Sequence, residues 1–111
     1  MSRSRGIVSG DLAVNFDSHE VLVSGEPVAL TPTEYNLLYL LVRNAGHVLP
    51  FATLLARVWG DDYRGETDYL KTYISRLRHK LGDNSEHPRY ILTERGTGYR
   101  FVRGTSPSAV A

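Results

Sequence analysis

Apolar positions along this chain change their spacing as it proceeds, and each change marks a different kind of element. From residue 7 to residue 30, IVSGDLAVNFDSHEVLVSGEPVAL, short β-branched runs alternate with Ser-Gly, Asp-Ser-His and Ser-Gly-Glu-Pro breaks. That is the pattern of a meander of brief antiparallel strands. The spacing then turns helical. Thr31 can cap, Pro32 suits a first helical position that needs no amide donor, and Glu34 completes a capping box. Tyr35, Leu38, Leu41 and Val42 recur on one face, and Asn44-Ala45-Gly46 offers a stop. Val48-Leu49 has room only for a strand fragment. Residues 51–58 (FATLLARV) make a short second helix with Leu54, Leu55 and Val58 inward, and residues 59–65 (WGDDYRG) are too polar and glycine-bearing to continue it. A third helix is expected over residues 68–81, ended by Gly82-Asp83-Asn84-Ser85, and a hairpin follows with strands near residues 90–94 and 99–102.

Strands, then three helices, then a hairpin directly after the third helix make an α+β winged helix-turn-helix. Residues 6–103 form one domain in this reading. Residues 1–5 and 104–111 (GTSPSAVA) are small, polar and unpatterned, and are expected to be loose ends.

The third helix carries the most specific signal. At about 100° per residue, Tyr73, Ile74, Leu77 and Leu81 fall within roughly 60° of Leu70, a stripe expected to pack and do nothing else. The far side collects Thr72, Ser75, Arg76 and His79, with Lys71 and Lys80 on the flanks. Arg76 has the fork geometry for a guanine edge, while Thr72 and Ser75 are short enough to let a helix sit deep in a groove. Arg78 projects near the core edge, where a phosphate or an intramolecular acid is a better partner than a base. The competing reading of this face is an ordinary solvated surface.

Charge sharpens the choice. The net charge of +1 hides an asymmetry: residues 1–65 hold five basic and seven acidic side chains, residues 66–111 eight basic and five acidic. The excess sits with the helix and hairpin, although it is smaller than a strongly basic footprint. In the hairpin, Thr93, Arg95, Thr97 and Arg100 surround Gly96-Thr97-Gly98. The glycines permit positive φ at the tip and a close approach to a phosphate or minor groove. A plain structural hairpin is the alternative. As a nucleotide loop, G-T-G lacks a third glycine and a following helix.

Composition removes other classes. No apolar run approaches the ~20 residues of a membrane span, and the N-terminus has no apolar signal-peptide core. The absence of cysteine excludes disulfides, thiolate nucleophiles and cysteine zinc sites, and fits a cytoplasmic protein. His19, His47, His79 and His87 are scattered without metal-pair spacing. No cofactor, metal or catalytic residue is expected, and the chain does not read as an enzyme.

The blocks LTPTEYNLL (residues 30–38), LLARVWG (54–60), YISRLRHKL (73–81) and RGTGYRF (95–101) resemble the DNA-binding effector domain of OmpR/PhoB-type response regulators. The resemblance covers residues 6–103. It implies a four-stranded N-terminal antiparallel sheet on three helices, a third helix entering the major groove, and a C-terminal hairpin wing reaching toward the minor groove. By position it places Lys71, Thr72, Ser75 and Arg76 in the groove, Arg78 and His79 near the backbone, and Arg95 on the wing, beside Thr93 and Thr97. It makes residues 59–67, with Asp61, Asp62, Tyr63, Arg64 and Glu66, a loop facing RNA polymerase. It further implies a monomer free in solution, and head-to-tail pairs on direct repeats of double-stranded DNA. Ser75 departs from the longer or charged residue many relatives carry. Family members usually carry a phosphoacceptor receiver domain answering a sensor kinase; none lies within these 111 residues, which suggests an excised domain or a stand-alone regulator. A protein-interaction module built on the Asp61-Asp62 loop with Trp59 and Tyr63 is the competing role.

Overall fold

A computed structural model describes residues 5–60 and 67–102. Strands β1 (Gly6–Ser9), β2 (Leu12–Asn15), β3 (Val21–Val23) and β4 (Glu26–Pro27) form an antiparallel sheet in sequence order. The expected meander is therefore four strands, each too short to stand without a partner layer. That layer is helical: α1 (Pro32–Arg43), α2 (Phe51–Trp59) and α3 (Thr67–Leu81). Leu12, Val14 and Val21 from the sheet join Leu37, Leu38 and Leu41 of α1, Leu54 and Leu55 of α2, and Leu70, Ile74, Leu77 and Leu81 of α3 in one core.

The loose ends and the loop holding Asp61, Asp62, Tyr63, Arg64 and Glu66 lie outside the described residues, with one exception. Arg5, expected in a loose terminus, is tied down. Its N–H donates to Asp17 Oδ2 at 3.0 Å and its carbonyl accepts from the Phe16 N–H at 2.6 Å.

The α1 start follows its sequence signature. Thr31 Oγ1 accepts from the Glu34 N–H at 3.2 Å, and Glu34 Oε1 accepts from the Thr31 N–H at 2.9 Å. The same carboxylate oxygen meets Lys80 Nζ at 2.6 Å, so the capping box also fastens α1 to the end of α3. Glu34 is buried, which works to raise its pKa, but the Lys80 hydrogen bond and the Thr31 amide outweigh burial and the net shift is downward. A carboxylate whose folded pKa is depressed stabilises the fold above its unfolded pKa, and that contribution is lost as pH falls through the folded value. Glu34→Gln keeps the shape and removes the charge. It should cost about 1 kcal/mol at pH 7, and the deficit should fade toward pH 3 when urea denaturation is compared at the two pH values. An equal deficit at both would show that charge is not what Glu34 supplies.

The Val48-Leu49 fragment has a larger role than its length suggests. It is β5 (Val48–Pro50), and it pairs with β7 (Gly98–Phe101), which also pairs with β6 (Ile91–Glu94). The wing is thus a three-stranded sheet ordered β5-β7-β6, with the second hairpin strand at its centre. Helix α2 has no side-chain cap at Pro50; the Phe51 N–H instead donates to the Thr97 carbonyl at 3.1 Å. An amide at a helix start is satisfied by the wing, which fixes α2 relative to the hairpin.

Candidate nucleic-acid interface

Helix α3 presents the expected two faces. Leu70, Ile74, Leu77 and Leu81 are at most 1% exposed, whereas Lys71, Thr72, Ser75, Arg76 and His79 are all exposed. Tyr73 departs from the core-only expectation. It is half-buried, and its ring meets those of Trp59 and Tyr69 and also the Arg76 guanidinium, 5.4 Å from its centroid. Thr72 donates its hydroxyl proton to the Asp68 carbonyl at 3.0 Å, leaving its methyl as the group to offer a base.

Basic side chains on α3 and the wing divide into engaged and free. Lys80 is held by Glu34, Arg89 by Asp11 at 3.0 Å and Arg100 by Glu94 at 2.9 Å. Among the described residues, Lys71, Arg76 and Arg95 make no hydrogen bond or ion pair, and all three are exposed. Thr97 is exposed beside Arg95 in a turn closed by the Thr97 N–H to the Glu94 carbonyl at 3.0 Å. Gly96 takes positive φ there, as the tip requires.

Arg78, which the resemblance places near a nucleic-acid backbone, has its partners inside the protein. Only 8% exposed, it donates from Nη2 to the Ile91 carbonyl at 2.7 Å and to Thr93 Oγ1 at 2.8 Å, with a longer Nε bond of 3.3 Å to the same carbonyl. Its expected intramolecular partner was an acid; its hydrogen-bond partners are a carbonyl and a hydroxyl. Burial lowers its pKa from the usual arginine value, and the nearby Asp83 charge opposes part of that, yet it stays a cation.

The reason lies at the wing's edge. Strand β6 has β7 on one side only, so its other side exposes unpaired backbone groups. Arg78 takes the Ile91 carbonyl, while Asp83 Oδ2 accepts from the Ile91 N–H at 2.9 Å and the Tyr90 N–H at 3.2 Å. An arginine and an aspartate at the end of α3 together stand in for a missing neighbour strand. In the sequence Asp83 signals only a helix end. The pair docks the wing against α3, with Ser75 and His79 beside Arg78 around an open hollow of about 270 Å³. Thr93, exposed on the wing, sits one hydrogen bond from the helix.

Among the described residues no helix is long and apolar enough to cross a membrane, and no metal-ligating cluster is gathered.

Comparisons with known proteins agree with this geometry. The family described as "Transcriptional regulatory protein, C terminal" matches residues 25–101. The transcriptional regulatory protein KdpE of Mycobacterium tuberculosis is 43% identical over 95 residues, covering 86% of this chain but 42% of that protein. The chain therefore spans less than half of that relative. Among solved structures, the DNA-binding domain of Klebsiella pneumoniae RstA, in complex with the RstA box, superimposes with a TM-score of 0.81 at 34% identity, covering 93% of this chain and 98% of that one. The response regulator DrrB of Thermotoga maritima, an OmpR/PhoB homologue, gives 0.79 at 31% identity over 87% of this chain and 44% of its own. The chain belongs to this family of C-terminal domains of transcriptional regulatory proteins, the OmpR/PhoB-type winged-helix effector domains.

Proposed function

We propose that this domain binds duplex DNA sequence-specifically and regulates transcription, with α3 in the major groove and the wing directed at the adjacent minor groove. One observation carries the reading. Of the basic side chains on α3 and from there to the end of the wing, Arg78, Lys80, Arg89 and Arg100 have internal hydrogen-bond or ion-pair partners, and Lys71, Arg76 and Arg95 have none among the described residues. A surface evolved only for solubility has no reason to sort its cations this way, whereas a reader must keep its contact arginines unpaired. Arg76 is assigned a base edge, and Lys71, Thr72, Ser75 and His79 the groove wall and flanking backbone. Thr93, Arg95 and Thr97 are assigned to the wing contact. Arg78 is a positioning residue in this scheme.

The same reading has two copies bind head to tail on direct repeats and assigns a contact with RNA polymerase to the segment between α2 and α3. Within a longer protein, a receiver domain answering a sensor kinase would govern it. The relatives named above are regulators rather than enzymes, and no catalytic role is assigned.

Selection of bound sites from a random duplex pool tests the proposal directly. A recurrent motif is expected, with affinity falling steeply as salt rises because condensed counterions are released. On the selected duplex, Arg76→Ala should cost about 1–3 kcal/mol and relax preference at one base pair. Arg95→Ala should weaken binding and make the salt dependence shallower by about one phosphate equivalent. Failure to enrich any motif, with no duplex affinity even at low salt, would favour a role in protein contacts instead.

A further inference from the structure

The half-buried Tyr73 lies between two groups that have no obvious need of each other. Trp59 approaches its ring edge-on at 5.0 Å, and Tyr69 does so at 5.4 Å. Trp59 and Tyr69 also meet, at 5.2 Å, so three aromatic rings from the end of α2 and the start of α3 close a triangle. Pairs of this geometry add to what burial alone supplies, and a ring packed against two others has little freedom to reorient. Arg76, one turn further along α3, lays its guanidinium over Tyr73 at 5.4 Å.

A guanidinium offers two different surfaces. Its faces attract the negative face of an aromatic ring, while its five N–H donors point outward in the plane. Contact through a face therefore leaves the donating edge untouched. That edge is the part a guanine O6/N7 pair requires. Arginine also carries large rotamer entropy that must be given up when it docks on a base, and a side chain already restrained by a ring loses less. Arg76 makes no hydrogen bond among the described residues, so the Tyr73 ring is the restraint the structure shows for it.

We propose that Tyr73 is a specificity-determining positioning residue, whose ring, locked by Trp59 and Tyr69, holds Arg76 by its face with the donor edge presented for a base. This rests on the reading of Arg76 as a base contact and adds to it a reason why this exposed arginine can discriminate. It also explains why Tyr73 is not an aliphatic residue. Its place on the Leu70 stripe asks only for an apolar group, and leucine would satisfy that.

The experiment compares wild type, Tyr73→Phe, Tyr73→Leu, Arg76→Ala and the Tyr73→Leu/Arg76→Ala double variant. Each is titrated against the duplex recovered by selection and against a duplex of scrambled sequence. Tyr73→Phe keeps the ring and should bind within about twofold of wild type. Tyr73→Leu should lose roughly threefold to fivefold on the selected duplex and clearly less on the scrambled one. In the Arg76→Ala background the same change should cost nothing further. Additive losses in the double variant, or a Phe variant as damaged as the Leu variant, would overturn the positioning role. If Arg76→Ala itself binds like wild type, the base-contact reading falls and the inference with it. Should Tyr73→Leu fail to fold, proton NMR of the free wild-type protein decides. Arg76 side-chain resonances displaced by ring current support the proposal, and resonances at ordinary arginine positions overturn it.

Discussion

Replacing Gly98 by alanine should cost this domain more than ~3 kcal/mol, at the severe end of overpacking substitutions. A Cβ at position 98 would stand 1.9 Å from the Leu49 carbonyl oxygen, 2.7 Å from its carbon and 2.9 Å from Pro50 Cα. All three are backbone atoms of β5, so no side chain can swing aside. Relief requires β5 to part from β7 where Pro50 faces Gly98. That shift would move the Phe51 amide from the Thr97 carbonyl and loosen the start of α2. For a domain near 100 residues the loss corresponds to a melting point lower by roughly 12–24 °C, readable by circular dichroism. Gly96→Ala is the internal control. Its φ of +72° disfavours alanine, yet no atom lies within 4 Å of the new methyl, so the cost should be only about 1 kcal/mol. Equal losses for the two variants would show that both glycines serve turn conformation, and that room beside β5 is not what Gly98 supplies.

That pair of glycines also shows where sequence reading reached and where it stopped. Gly96 was legible because positive φ at a hairpin tip is a local demand. Gly98 was grouped with it, but its reason is a backbone about fifty residues earlier in the chain, which no spacing within the hairpin reveals. Strand β5 was similarly dim: three residues carry no period, and their pairing with β7 is a property of the folded whole. Helix α1, by contrast, was readable to its first hydrogen bond, because Thr31 and Glu34 cap through neighbours in sequence. The α3 projection separated Leu70, Ile74, Leu77 and Leu81 from the exposed side chains and placed Arg76 on the open face. It put Tyr73 wholly in the core because an angle on a wheel says nothing about a ring's two surfaces. For the candidate site, residue types and order suggested a surface to test. What they could not supply was which cations already have partners inside the protein.

Arg78 is the case where that distinction yields the second large effect. Arg78→Met keeps a long apolar stem and removes the guanidinium, leaving the buried side of the Ile91 carbonyl without its donor and Thr93 without its link to α3. Methionine cannot donate, and the orphaned carbonyl together with the lost charge-assisted bonds should cost about 3 kcal/mol in a denaturant titration. Among the described residues only Asp83 then holds the β6 edge; its carboxylate still takes the Ile91 and Tyr90 amides but has lost the nearby cation. The wing would pivot relative to α3, so DNA affinity should fall while the dependence of affinity on salt keeps its wild-type slope. A phosphate contact behaves in the opposite way, since its removal makes the slope shallower by about one ion equivalent. Arg95→Ala measured beside it supplies that comparison on the same duplex. A shallower slope for Arg78→Met, with stability little changed, would return Arg78 to the DNA backbone. An unchanged slope with a lowered denaturation midpoint makes it the bond by which one reading element holds the other in place.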